Sequence, residues 1–390
     1  MILYRYEYFK RIKGDVMDNI EIINSVDEKI EKVRTRSLDL SFNELMDMYE
    51  SEELIIDPEY QRMFRWNEVK QSQFIESLIL ELPVPPIFVI ETKDNEYELI
   101  DGLQRISSYL HFRGRLPISE NNETQYLKLR DCDILGELEG KTYDDLPKAI
   151  QIRLKRNFIR VEVLRKENNN KLRYYMFKRL NSGGEKLSDQ EIRNCTIRIM
   201  DNKFNDCIIK CSKNPDFRNT ISKLEEEKIK TKADQELVLR FFTLKNDMGR
   251  YKHPFAEYLT KYMEDVAEEK LSFDCIHEEG LFNRTFYILN NLLGKDSFSS
   301  ILSSGNFKED LVLYHFDALT LGIQNHLDIL GKIINDNDIS KMQQVNDLLK
   351  RLKESSAELS KYKTGTKGNI ENRMNLISSK IEELVCSWKK

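Results

Sequence analysis

The hydrophobic periodicity changes character near Asn170, and that change bounds the folds open to the chain. Upstream, short apolar runs of strand length alternate with helical segments. Downstream, almost every apolar residue recurs at three- or four-residue spacing, the mark of amphipathic helices. Residues 171–180, 189–199, 233–244, 255–269, 281–292 and 311–334 all carry it. The stretch from Ile339 to Trp388 reads as a helical hairpin broken near Thr364-Gly365-Thr366-Lys367-Gly368. The pattern predicts an α+β chain, a small sheet with helices followed by a large all-α region. The expected divisions are a lead-in over residues 1–36, a first domain over 37–187 and a helical domain over 188–390.

Within the first domain, Ser41 is placed to cap a helix carrying Phe42, Leu45, Met46 and Tyr49. Pro58 then forces an extended approach. A second amphipathic helix follows, with Val69, Phe74, Leu78 and Leu82 as its stripe. Next comes a compressed ββα unit. Ile87-Phe88-Val89-Ile90 is a strand, Asp94-Asn95 a turn, and residues 97–100 the return strand. Asp101-Gly102 breaks that strand, and residues 103–113 resume helical spacing. Alternation over residues 158–164 predicts a further strand.

Composition bears on partners. The net charge is −5, with 33% charged and 40% hydrophobic residues. No global basic field points to nucleic acid, so any phosphate site must be local. Lys and Arg do outnumber Glu between Arg153 and Arg179, although such a run is usually a solvated face. The six cysteines lack the paired spacing of a zinc site and are expected to be free thiols in a reducing cytoplasm. No apolar run has the length of a membrane span.

Asp101-Gly102-Leu103-Gln104-Arg105 sits at a strand-to-helix junction, a good place to hold a phosphate. First-turn N–H groups are free there and the helix dipole is positive. Gly102 permits close approach, Arg105 can fork onto phosphate oxygens, and Asp101 can bind a metal or orient water. A plain helix cap with a surface arginine is the competing reading. Tyr60-Gln61-Arg62-Met63-Phe64-Arg65-Trp66 interleaves cations with aromatics, a mixture suited to stacking on bases or equally to a buried aromatic knot. Arg179-Leu180-Asn181-Ser182-Gly183-Gly184 can form an anion-binding nest, or a glycine helix end followed by a capping box of Ser188 and Glu191.

Taken in order, IDPEYQRMFRW, ESLILELPVPPIFV, ELIDGLQRISSYLHF and FKRLNSGGEKLSDQEIRN resemble the domain-of-unknown-function 262 family. This is the ParB/sulfiredoxin-like N-terminal domain of GmrSD-type modification-dependent restriction enzymes. The resemblance spans residues 37–245, including a helix at 234–244. The family signature is Asp-Gly-Gln-Gln-Arg, and Leu103 replaces its first glutamine. The resemblance implies a small mixed sheet with helices and a phosphate-binding turn for a nucleoside triphosphate carried with Mg²⁺. Asp101 and Arg105 would be catalytic, with Asp101 also the metal ligand. Gly102, Gln104, Arg105, Tyr60, Gln61, Arg62, Arg179 and Asn181 would bind nucleotide, and Arg65, Trp66, Arg156 and Arg160 DNA.

None of the five histidines falls in a His-Asn-His nuclease pattern, so cutting is expected to belong to a separate nuclease or effector subunit. The C-terminal helices are then a scaffold, or a surface for homo-oligomerisation. The functional expectation is a cytoplasmic, NTP-hydrolysing sensor of an anti-phage restriction system. The alternatives are a stand-alone ParB-like DNA nuclease and a non-enzymatic DNA- or partner-binding module.

Overall fold

In the computed structural model the described residues are 35–56, 64, 66–93, 96–116, 126–164, 188–197, 201–302, 304–354, 358–362 and 364–388. The chain divides into two compact units, Met1–Gly184 and Glu185–Lys390.

The first unit is built on a five-stranded mixed sheet of order β1-β5-β3-β4-β2. Its strands are β1 (Thr35–Ser41), β2 (Leu54–Ile55), β3 (Ile87–Lys93), β4 (Glu96–Asp101) and β5 (Phe158–Leu164). Antiparallel pairs join β1 to β5 and β3 to β4, whereas β3–β5 and β2–β4 are parallel. Among the described residues four helices accompany it: α1 (Phe42–Glu50), α2 (Glu68–Ile79), α3 (Leu103–Phe112) and α4 (Lys148–Arg156). Side chains alternate along β5, with Ile159, Val161 and Val163 buried and Phe158 and Arg160 outward. Ile87, Val89, Leu99, Phe42, Phe74 and Tyr109 are also buried. The Phe42 and Tyr109 rings lie 4.7 Å apart.

Local chemistry sets the helix boundaries. Ser41 Oγ accepts the Glu44 N–H at 3.1 Å, as its position before α1 predicts, and Asn67 Oδ1 accepts the Lys70 N–H at 2.9 Å at the start of α2. Helix α2 ends with Glu81 in the left-handed region (φ 56°) and with the Leu82 N–H returning to the Ser77 carbonyl at 2.9 Å. Leu82 therefore falls past the helix end and is 44% exposed, not part of the apolar stripe. Strand β1 and helix α4 are additions to the sequence reading. The hairpin turn at Asp94-Asn95 lies outside the described residues.

The second unit is helical: α5 (Asp189–Ile197), α6 (Lys203–Ser212), α7 (Pro215–Thr220), α8 (Glu226–Lys230), α9 (Ala233–Asp247), α10 (Phe255–Ala267), α11 (Cys275–Leu293), α12 (Leu313–Gly322), α13 (Leu327–Asn335), α14 (Ile339–Lys353) and α15 (Lys367–Ser387). The helix expected over 311–334 is two, α12 and α13, separated by a tight turn at Gln324–His326. Ser188 and Glu191 form the predicted capping box, each side chain accepting the other's backbone N–H at 3.2 and 2.8 Å. Phe217, Phe241, Phe242, Phe282 and Phe286 form an aromatic core, with the last two rings 4.4 Å apart. The Asp317 carboxylate, 1% exposed, takes a forked pair from Arg240 (2.6 and 2.7 Å) and a third bond from Arg373 at 3.1 Å. Among the described residues no helix is long and apolar enough to cross a membrane.

Candidate phosphate-binding turn

The end of β4 delivers Asp101 and Gly102 to the first turn of α3. Gly102 has φ 105°, a conformation that side-chain-bearing residues rarely adopt. A Cβ built there would also lie 2.9 Å from the Ile87 Cβ, so glycine is required twice over. Unlike α1 and α2, α3 has no side chain capping its N-terminus. Leu103 is 3% exposed, so the departure from the family signature falls on a side chain in the core. Position 103 offers the turn its backbone N–H alone.

Arg105 does not reach freely into solvent. Its Nη2 donates to Asp101 Oδ2 at 3.1 Å and to the Pro86 carbonyl at 3.0 Å, with 15% of the side chain exposed. Its Nε is buried without a hydrogen-bond partner. Arg105 thus braces the Asp101–Gly102 turn against the start of β3 while retaining unused donor capacity.

Gln104 turns its amide the other way, and its Oε1 accepts the Trp66 N–H at 3.0 Å. The Trp66 carbonyl accepts Gln71 Nε2, whose Oε1 lies 2.7 Å from His111 Nδ1. With the amide so oriented, His111 donates from Nδ1. Burial pushes the His111 imidazole below its usual pKa, against the Glu68 carboxylate, which raises it. The neutral ring is therefore favoured, and it serves as a structural donor. The chain of bonds brings the end of the Tyr60–Trp66 motif to the α3 turn. A buried carboxylate, Glu76, accepts the N–H groups of Asp133, Ile134 and Leu135 at 3.0, 2.8 and 2.6 Å and so fixes that loop.

Sequence reasoning passed over Gln71 and Glu76. The available signal was a polar residue at a spacing that faces the core, since Gln71, Ile75 and Leu78 share one side of α2. Arg156 and Arg160 both line a cleft of about 750 Å³ near the start of β5, away from any role in the turn itself. Tyr60, Gln61, Arg62, Arg65, Arg179 and Asn181 lie outside the described residues. So does the Asn-Ser-Gly-Gly turn. Asp101, the residue expected to hold a metal, is the one carboxylate at the turn among the described residues, and its Oδ1 has no hydrogen-bond partner among them. No group of three or more His, Cys, Asp or Glu among the described residues is arranged to hold a metal by itself.

The geometry defines a small mixed-sheet α+β domain with an uncapped helix N-terminus at a strand end, flanked by one acid and one arginine. Residues 42–198 match the family described as the GmrSD restriction endonuclease, N-terminal domain. That stretch is thus similar to a domain of restriction systems. The match begins with α1 and runs through α5, so it ends just inside the helical unit. Neither the curated proteins nor the solved structures compared with the chain gave a match.

Proposed function

We propose that the first unit is the nucleotide-binding sensor of an anti-phage restriction system, holding a nucleoside triphosphate by its phosphates at the α3 turn. The uncapped first turn behind Gly102 carries this reading. Its backbone N–H groups and the positive end of a ten-residue helix suit an anion, and a glycine without Cβ lets phosphate oxygens approach. In hydrolysis Asp101 would act through Oδ1, positioning water or receiving a nucleotide-borne Mg²⁺. One carboxylate is compatible with such an ion, which takes much of its coordination from phosphate and water. That ion would neutralise phosphate charge. Arg105 would add positive charge beside the phosphates and hold Asp101 in place. Positioning and electrostatics are most of what phosphoryl transfer asks of a protein. Gln104 contributes its backbone N–H to the turn and its side chain to Trp66, so bound phosphate and the aromatic–basic motif are linked, a reasonable basis for sensing DNA.

The test is phosphate release from ATP, GTP, CTP and UTP with Mg²⁺, with and without phage DNA, alongside direct binding by titration calorimetry. Arg105→Ala should weaken binding roughly tenfold or more, the worth of one charge-assisted hydrogen bond, and Arg105→Lys should recover part of it. If no nucleotide binds the wild type, or both variants bind as it does, the reading fails. Binding without turnover would leave a sensor that is not an enzyme.

A further inference from the structure

The cleft at the start of β5 is distinct in chemistry from the α3 turn. One wall is a single face of α4, where Ala149, Ile152, Arg153 and Arg156 follow at helical spacing. The chain leaving α2, with Glu81, Leu82, Pro83 and Val84, lines it too, as do Phe158 and Arg160. Phe158 is 63% exposed although it lies in a strand, on the outward side of the β5 alternation. Its position is fixed from both directions. Asn157 Nδ2 donates to the Leu78 carbonyl at 2.7 Å, and the Asn157 carbonyl accepts the Phe42 N–H at 2.9 Å. An exposed phenylalanine, held rigidly beside Leu82 and Ile152 (44% and 40% exposed), is an apolar anchor point without a cover among the described residues.

The charges decide what kind of partner fits. Arg160 is forked onto Asp39 at 3.1 and 3.3 Å, and Arg153 pairs with Glu81 at 3.3 Å. Arg156 is the cleft arginine that has no hydrogen bond or ion pair among the described residues. The lining thus offers one uncommitted cation amid apolar side chains. A nucleic-acid backbone, with a charge at every phosphate, needs several uncommitted cations. A polypeptide segment that presents an aliphatic or aromatic side chain next to a carboxylate matches the cleft: the apolar group against Phe158, Leu82 and Ile152, the carboxylate on Arg156. We infer that this cleft docks such an acidic–apolar segment of a partner protein, apart from the nucleotide turn.

The full chain would be used as bait for a displayed library of random twelve-residue peptides, with an Arg156→Glu/Phe158→Ser variant as counter-bait. Both substituted residues are exposed, and circular dichroism with thermal melting would verify that the variant is folded. Peptides pairing Asp or Glu with Leu, Ile or Phe should be enriched. Fluorescence anisotropy should show roughly tenfold or greater weakening on the variant, as expected for an aromatic and arginine anchor pair. Nucleotide binding should be the same for both proteins. No enrichment, or peptides indifferent to the two substitutions, would overturn the inference. A twelve-nucleotide single strand or duplex that loses affinity in the variant to a similar degree would also overturn it, making the cleft a nucleic-acid groove.

Discussion

The two units handle buried polarity differently. In the helical unit, buried guanidinium groups gather on shared carboxylates, carbonyls and a hydroxyl, although Arg373 Nε is left without a hydrogen-bond partner. Asp317 serves Arg240 and Arg373, Arg373 also donates to the carbonyls of Tyr362 and Thr364, and Arg193 reaches Glu236, Thr260, Gln190 and the Ala256 carbonyl. In the sheet unit the Gln71–His111 pair and the buried Glu76 carboxylate do the internal work, and several charged groups keep spare capacity. Arg105 retains an unpartnered Nε, Asp101 an unpartnered oxygen among the described residues, and Arg156 its whole guanidinium. Satisfied ion networks lock helices against one another, whereas unsatisfied charge on a rigid frame is what a ligand can use. The proposed nucleotide turn and the proposed docking cleft both lie in the sheet unit.

Asp317→Ala should break the contrast most severely. It leaves two buried arginines without their shared counter-charge, and a loss of about 3–5 kcal/mol is expected. Urea titration followed by circular dichroism would measure it, and a loss below about 1 kcal/mol would mean that water already satisfies the pair. Next in size is Gln71→Ala in the sheet unit, which strands the Trp66 carbonyl and the His111 Nδ1–H. The expected cost is about 1–3 kcal/mol, read from the same titration. An unchanged midpoint would show that the neutral relay holds nothing together.

The smallest effect concerns Lys353, which burial pushes down from 10.5 to about 7, against the nearby Asp296 carboxylate. Lys223 and Lys350 also lower it, and Asp310 raises it. Its Nζ donates to the Ser297 carbonyl at 2.9 Å and to that of Asp296. Between pH 7 and 10.5 the unfolded chain carries a proton that the folded chain does not. Stability therefore rises with pH in that window, by up to about 1.4 kcal/mol per unit from this group. Comparing wild type with Lys353→Met at pH 7.5 and 8.5 isolates the contribution. Equal slopes would show that Lys353 stays charged when buried.

Much of the fold was legible because its periodicities are local. The strands at 87–90, 97–100 and 158–164 and the Ser41 and Ser188 caps rest on neighbours within a few residues. Strand β1 was not legible, because Leu38 and Leu40 acquire a strand environment only by pairing with Val161 and Ile159, more than a hundred residues away. Helix α4 escaped for another reason. Its mean character is strongly polar and it buries Leu154 alone, too thin a stripe to register. At the candidate site the glycine turn could be read from Asp101-Gly102. The inward pull of Asp101 and Pro86 on Arg105 could not, since the Pro86 carbonyl reaches it only through the β3–β4 pairing. The cleft was equally hidden, although the arginines lining it stood out as part of a basic run.

Gln104 has one further consequence. Its backbone belongs to the α3 turn and its side chain holds Trp66, which in turn holds Gln71, which holds His111 back on α3. The bonds form a closed loop that starts and ends on the same helix, with its two anchor points two turns apart. A loop of this kind transmits displacement instead of absorbing it. If α3 shifts as its first turn tightens on an anion, Trp66 must follow or the loop must open, and opening it leaves buried donors bare. An axial movement of α3 would therefore be passed to Trp66, the residue through which the loop closes.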